Sequence, residues 1–370
     1  MSEAPKSSGQ AAPDGGDEVA ARASAADLSR FVVEVLLAAG ADRNSGETTA
    51  RALVGASLRG VDSHGLRLLP HYVKVIEGGR VKGRPQMRFE ARAAAVGRLD
   101  ADHALGTTAG YRAIDEAMRL AEVAGVGAVS VFNSSHFAAA GCYSLAAAEA
   151  GYIGLAFCNA NDIVMPHSGR APVHGTNPIS FAAPVTGERP YLIDMATSSI
   201  PFNRVLQFRA LDKRLPDDVV VDGEGRVTRD PQAGEFLLPL GGAGYGYKGA
   251  ALAGMVSILS GVLSGMRLDH EMADMFNSSW SEPRCLGQFF LVLKPSTFID
   301  ETVFQAQMRS YLDALRGIDA LPGERVMAAG DREWDVERRR GAEGIPLDRH
   351  NWQVFGELAA AQGVAPLSAL

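Results

Sequence analysis

The chain has 370 residues, 46% of them hydrophobic, a formal net charge of −7 and a pI near 5.7. That supplies a sizeable core, while the acidic balance argues against a surface for nucleic acid or an anionic membrane. No apolar run reaches the roughly 18 unbroken residues of a membrane span, and Cys142, Cys158 and Cys285 are too scattered for a disulfide framework or a zinc knuckle, which points to reduced thiols in a cytoplasmic protein.

Residues 1–23 are small, polar and rich in Pro and Gly, and read as a disordered tail. Residues 24–40 predict a helix: Ser24 and Asp27 stand at capping-box spacing, Leu28, Phe31, Val35 and Leu36 follow at helical intervals, and Gly40 stops it. A second helix is expected from Asn44 to Gly60, and RGVDSHGLRLLPHY (59–72) begins where it ends. Next come an amphipathic helix at 107–124, a buried strand VGAVSV, an Ala-rich helix FAAAGCYSLAAAEAG and a second buried strand YIGLAFC. This alternation predicts an α/β fold. NPISFAAP and YLIDMA add strands, and VVVDGEGRVTRDP reads as a hairpin around Asp222-Gly223. Residues 250–266 read as a buried helix, and the charged run 331–347 as a solvated face or an arm on another subunit.

Several motifs carry chemistry. GYGYKG (244–249) spells a dinucleotide fingerprint but lacks the surrounding βαβ unit, so the better reading is a glycine loop presenting Lys248 at a helix N-terminus to an anion. At the end of a helix, His64 is either a proton donor whose charged form the helix carbonyls stabilise, or a capping imidazole. Ser63 beside it does not make a hydrolase, because the sequence has no nucleophile elbow. His64, His136, His167 and His174 lack metal-ligand spacing, so no metal site is expected. The segment around Ser135-His136 suits a phosphate or ribose contact, or else an ordinary helix cap. Asp194, at the end of an apolar strand, either caps a neighbouring helix or orients a histidine.

In order along the chain, DSHG (62–65), LPHY (69–72), LDADHALG (99–106), SSHF (134–137), HGTNP (174–178), IDMATS (193–198), LPLGG (238–242), YKG (247–249) and PGER (322–325) resemble the malate/L-lactate dehydrogenase family that is unrelated to the Rossmann enzymes of the same name. The resemblance implies an α/β, non-Rossmann fold with a mixed sheet and surrounding helices. It implies one catalytic unit over 24–370, with the NAD(P)-binding part at roughly 90–300, and a homodimer with NAD or NADP as cofactor. It makes His64 the acid/base, held by Ser63, with Asp194 in the catalytic set, and Thr176 and Arg67 as contacts to a small carboxylate substrate. His136, Phe137, Asp194, Met195, Ala196, Lys248, Gly323, Glu324 and Arg325 match cofactor positions. The expected reaction is hydride transfer between nicotinamide and a 2-hydroxy/2-oxo acid. A 2-imino-acid reductase and a catalytically idle nucleotide-binding relative remain as alternatives, and a metal-assisted hydrolase would instead carry zinc. The chain departs from the family pattern at Arg67, which many relatives carry one residue later, at Ala138 for Gly, at Gln288 for His and at Ser257 for Glu.

Overall fold

The structure is a computed structural model and describes residues 19–370. Its amino-terminal part holds β1 (Val19–Ala23), α1 (Ala25–Ala38), α2 (Arg43–Leu58) and α3 (Leu69–Glu77). A hairpin of β2 (Arg88–Ala93) and β3 (Val96–Asp100) leads into α4 (Gly106–Ala124), β4 (Val126–Ser134), α5 (Gly141–Glu149), β5 (Ile153–Cys158), β6 (Ile179–Ala183) and β7 (Tyr191–Met195). After α6 (Phe202–Ala210) come the short strands β8 (Val220–Val221), β9 (Val227–Thr228) and β10 (Phe236–Leu237), then α7 (Gly242–Tyr245), α8 (Tyr247–Ser257) and β11 (Leu286–Leu293). The chain closes with α9 (Pro295–Phe298), α10 (Glu301–Arg316), α11 (Asp331–Glu343), β12 (Ile345–Asp348) and α12 (Arg349–Gln362).

One seven-stranded sheet organises these elements in the order β2-β3-β4-β11-β5-β6-β7. Only β3 and β4 run parallel; the other neighbours are antiparallel. This is the expected mixed sheet and not the doubly wound parallel sheet that a Rossmann motif requires. The insertion of β11 between β4 and β5 brings together segments more than a hundred residues apart. Helix α4 lies close on the sheet because it offers Ala113, Ala117 and Ala121 at helical spacing, all buried, and because a Cβ at Gly127 of β4 would collide with the Ala117 carbonyl. Leu99, Ile114, Val131, Tyr143 and Phe290 are fully enclosed at this centre.

Local signals hold in most places. Ser24 caps α1, its Oγ accepting the Asp27 N–H at 3.0 Å, and β8 and β9 form the hairpin around Asp222-Gly223, with Asp222 Oδ1 accepting the Glu224 and Arg226 N–H groups. Five expectations need correction. Of the expected tail at 1–23, residues 1–18 lie outside the described residues, and 19–23 form β1, antiparallel to β12, so that a distant partner strand orders a stretch whose own composition would not. Helix α2 starts at Arg43 because Asp42 is its cap, accepting the Ser45 N–H at 2.7 Å. The Ala-rich helix begins only at Gly141, since Ala138 takes a left-handed φ of 61°; the glycine of relatives sits there without strain. GYGYKG is no loop but parts of the successive helices α7 and α8. Finally, 250–266 is buried on one side only: Met255, Ile258 and Val262 are exposed at 38%, 58% and 59%.

Candidate active site

Helix α2 ends at Leu58, Gly60 reverses the chain at φ 79°, and Asp62–His64 form a single tight 3-10 turn. The turn is docked on α2 by Ser57, whose Oγ accepts the Leu66 N–H at 3.0 Å; a Cβ at Gly65 would strike that hydroxyl, so glycine is required. Ser63 Oγ and His64 Nδ1 share a hydrogen bond of 2.9 Å. The hydroxyl therefore fixes the ring and leaves Nε2 for another molecule. Asp62 plays no part in that bond. Its carboxylate faces away and takes a two-pronged ion pair from Arg340 of α11, at 2.7 and 2.9 Å. The same guanidinium donates to the Ser57 carbonyl at 2.6 Å. The charged run at 331–347 is thus not wholly a solvated face: Trp334 and Arg340 are buried, and α11 braces the DSHG turn from behind.

The second imidazole comes from the other side of the fold. His136 follows β4 and stacks on His64, with ring centroids 5.9 Å apart and planes inclined by 17°. Its Nδ1 lies 2.9 Å from the Tyr72 hydroxyl of α3 and 3.4 Å from the Ala138 N–H. A backbone N–H can only donate, so Nδ1 is the acceptor and the neutral ring carries its proton on Nε2. Ser135 does cap a helix, but it is α4: its Oγ accepts the Gly106 N–H at 2.8 Å and donates to Ala104 O. Burial lowers the pKa of His64, and burial with the neighbouring His64, His71 and Arg284 charges lowers that of His136 further. That direction is opposite to the one a helix C-terminus would impose: the partly buried ring sits in a 3-10 turn past the end of α2, where loss of water disfavours the charged form.

Of the positions matched to the cofactor, Asp194 and Met195 lie on β7 and Ala196 just past it, while His136 and Phe137 follow β4. Leu192 of β7 donates its N–H to Ala329 O, four residues beyond the Gly323-Glu324-Arg325 segment. Just past the strand, Leu240 N–H bonds Thr197 O and Gly249 N–H bonds Leu240 O, which ties the start of α8 to the segment after β7. The Lys248 ammonium lies 5.5 Å from the Tyr245 ring and 5.9 Å from the Tyr247 ring, and no carboxylate pairs with it among the described residues. Added Cβ atoms at Gly244 and Gly323 would meet nothing within 4 Å. An unpaired ammonium and open backbone on one edge are the donor set that a dinucleotide needs, so the residues present fit a nicotinamide cofactor. Arg325 is tied to Asp335 at 2.5 Å. The Phe137 ring is buried in the core, 5.0 Å from the Tyr143 ring.

Asp194 lies against the Gly141 N–H at the start of α5, where a Cβ on Gly141 would come within 2.6 Å of its carboxylate. Burial raises its pKa to about 6, opposed by the Gly141 N–H and by the charge of Arg59. Its carboxylate packs against the start of α5, and no hydrogen bond joins it to His64 among the described residues. Thr176 accepts the Thr197 N–H through its carbonyl at 2.9 Å. Arg67 is exposed and without an ion pair among the described residues. Of the four histidines only His64 and His136 come together; His167 lies against Tyr247, and His174 Nδ1 is 3.9 Å from Asp269. Ser257 and Asn177 both donate to that buried Asp269, at 2.8 and 2.7 Å.

Sequence reasoning missed several residues here. Tyr72 and His71 stood in LPHY, yet nothing in that string shows that one touches His136 across the fold. Residues 272–284 cross over α3 as a strap, with Phe276 and Trp280 edge-on to His71 at 5.3 and 5.6 Å. Arg80 holds this strap by donating to the carbonyls of Met275, Ser278 and Ser279. The strap has no periodicity, and isolated arginines carry no signal of what they clamp.

The mixed sheet and the paired imidazoles beside it belong to an α/β architecture of the non-Rossmann kind. Residues 23–355 match the malate/L-lactate dehydrogenase family, and the chain belongs to it. It is accordingly an NAD(P)-dependent oxidoreductase. A malate dehydrogenase of Pyrococcus horikoshii is 34% identical over 92% of this chain and 95% of its own; its solved structure superposes with a TM-score of 0.84, covering 94% of this chain and 97% of that one. The ureidoglycolate dehydrogenase (NAD(+)) of Escherichia coli K12 is 32% identical over 86% of this chain and 90% of its own. A delta1-piperideine-2-carboxylate reductase of Pseudomonas syringae superposes with a TM-score of 0.82 at 29% identity, over 91% and 99% of the two chains.

Proposed function

We propose that this protein transfers hydride between NAD(P) and C2 of a small 2-hydroxy/2-oxo acid. The observation that carries this reading is the His64–His136 stack, in which each imidazole is fixed through Nδ1, by Ser63 and by Tyr72, with its Nε2 left unengaged. The bound nicotinamide supplies or takes the hydride. In the reducing direction His64 Nε2 gives its proton to the oxygen on C2 as the C=O bond becomes C–OH, and in the oxidising direction it takes that proton back. His136 Nε2–H donates a hydrogen bond to the same oxygen and stabilises developing alkoxide charge. Asp194, Met195, Ala196, Lys248, His136 and the 323–325 segment hold the cofactor, Phe137 through its backbone alone, and Thr176 contacts the substrate. Asp194 supports the site by fixing the start of α5. Arg67, at the rim, offers a cation to the carboxylate.

A second reading is reduction of a 2-imino acid, for which the same proton donor serves at nitrogen; the likeness to the Pseudomonas syringae reductase favours it. A catalytically idle, cofactor-binding relative fits the intact His64 poorly. The enzyme works in the cytoplasm as a homodimer: its cysteines are free, and one face of α8 offers apolar side chains to a second copy. The test is oxidation of NADH and NADPH with a panel of 2-oxo acids, with and without methylamine, and with cyclic imino acids. Turnover lost in His64→Ala while cofactor binding persists supports the reading. Failure to bind either cofactor would overturn it.

A further inference from the structure

Asp269 is 2% exposed, and among the described residues no Lys or Arg pairs with it. Four donors converge on its carboxylate instead. Oδ2 accepts the Gly175 N–H at 3.0 Å, Asn177 Nδ2 at 2.7 Å and the Ser257 hydroxyl at 2.8 Å, and Oδ1 accepts Asn159 Nδ2 at 3.1 Å. His174 Nδ1 stands further off, at 3.9 Å. Such a set calls for a group that only accepts; an amide in its place would turn a donor toward a donor. Burial pushes the Asp269 pKa up, but the His174 ring, the Gly175 N–H, Asn177 and Ser257 together hold it below the ordinary carboxylate range, so the group is ionised at neutral pH.

The donors come from separate parts of the chain. Asn159 follows β5, Gly175 and Asn177 flank Thr176 ahead of β6, Ser257 ends α8, and Asp269 opens the turn that leads into the strap. Asp269 therefore grips the chain on both sides of Thr176. The Thr176 carbonyl in turn accepts the Thr197 N–H and hydroxyl at 2.9 and 3.1 Å, and Thr197 directly follows the Asp194–Ala196 segment. Asn177 is held at a φ of 37°, a conformation that a residue with a side chain keeps only where its surroundings over-determine it; its Oδ1 accepts the Ala160 N–H at 3.1 Å. Ser257 stands where the family pattern has Glu. Its Oγ also lies 2.9 Å from Asn177 Nδ2, so a longer acidic side chain at 257 would end where Asp269 Oδ2 lies.

We propose that Asp269 is the positioning residue for the loop 174–177, and that it supplies from the turn before the strap the one buried carboxylate that the family pattern supplies from α8 at position 257. This rests on the reading of Thr176 as a substrate contact of the oxidoreductase. Asp269 touches neither substrate nor cofactor. It acts by fixing Thr176 and, through Thr197, the end of the segment that holds the cofactor. The site has room for one carboxylate, since two side by side would repel each other.

The test compares the full chain with Asp269→Ala, Ser257→Glu and the double variant, by hydrogen exchange at the Ala160 and Gly175 amides and by steady-state kinetics on any 2-oxo acid the wild type reduces. Asp269→Ala speeds exchange at both amides by about tenfold or more. It lowers kcat/KM about a hundredfold, as misplacement of a positioned contact does, with KM moving more than kcat and NADH affinity changing less than about threefold. Ser257→Glu alone also lowers kcat/KM, because it brings a second carboxylate beside Asp269. In the Asp269→Ala background the same substitution restores protection at both amides and returns kcat/KM to within about tenfold of the wild type. A merely structural aspartate would not give this reversal of sign. The proposal is overturned if Asp269→Ala leaves exchange and KM unchanged, if Ser257→Glu is as harmful with Asp269→Ala as without it, or if neither Asp269→Ala nor the double variant folds. Should Asp269→Ala alone fail to fold, a folded double variant supports it. Exchange protection lost and restored in this way, without turnover on any 2-oxo acid, would keep the clamp and defeat the hydroxy-acid reading. Turnover with exchange and KM unchanged in Asp269→Ala would do the reverse.

Discussion

At the scale of single residues the site is governed by desolvation. His64 and His136 both have pKa values below the ordinary 6.5, chiefly because they are enclosed, so in the free enzyme at neutral pH both are uncharged. Reduction needs the protonated His64 and oxidation the neutral one. The kcat/KM for 2-oxo acid reduction therefore rises as pH falls through a pKa below 6.5, while that for oxidation is flat near pH 7 and falls through the same pKa. Paired pH profiles measure this, and a shared break above pH 7 would refute it. His64→Asn lowers kcat/KM by about 10²–10⁴-fold without weakening cofactor binding. Asp194 behaves oppositely to a paired surface carboxylate. Its native pKa of about 6 exceeds the usual 3.8, so the folded protein binds the proton more tightly than the unfolded chain. Its contribution is most favourable near pH 4, declines as pH rises, and is fully lost above about 6. Asp194→Asn, which keeps an acceptor on the side chain, therefore gains most over the wild type at pH 8, roughly half as much at pH 5, and little near pH 4. The gain is at most roughly 3 kcal/mol, because the strand end is partly open to water; thermal melts at these pH values read it.

At the scale of elements, what was legible was whatever repeats locally. The 3.6-residue spacing of Leu28, Phe31, Val35 and Leu36 marked α1, and the apolar runs marked β4 through β7, because each pattern records the one face its element buries. The DSHG string likewise announced a site. Its bracing was not legible, since the ion pair of Asp62 with Arg340 joins residues 278 apart, and a charged helix reads as solvated unless its partner is known. That pairing has a measurable consequence. Arg340 is 3% exposed on its side chain and Asp62 44%, so removing the arginine frees a carboxylate that can rehydrate but also releases the turn carrying Ser63 and His64. Arg340→Met is expected to cost about 3 kcal/mol of stability and to lower kcat at least tenfold with little change in cofactor affinity. Arg340→Lys recovers part of both, because it restores the charge but not the two-pronged geometry. Equal kcat in Arg340→Met and wild type would show that α11 supports only the fold.

At the scale of the whole molecule, the exposed side of α8 is the feature a lone chain leaves unexplained. Ala251, Met255, Ile258 and Val262 recur at intervals of three to four residues along α8 and the π-helical turn Ile258–Val262 that continues it, and Tyr245, Tyr247 and Leu263, each more than half exposed, flank them in sequence. The opposite side, with Ala253, Val256 and Ser260, is buried against the sheet. A helix apolar on both sides has two partners, and a contiguous exposed apolar patch marks an interaction surface. In the homodimer proposed above, a second copy of the chain would meet this surface with its own, as twofold symmetry requires. Because Lys248 opens the same helix, the proposed interface would border the proposed cofactor segment, and separating the copies would loosen it. Ile258→Glu places a charge at the centre of the patch and is expected to shift the sedimentation of the protein from dimer to monomer while leaving the fold of each copy intact. Cofactor affinity then falls with the dimer, and both recover at high protein concentration. A wild type that sediments as a monomer, or an Ile258→Glu variant that stays dimeric, would show that the face of α8 has another purpose.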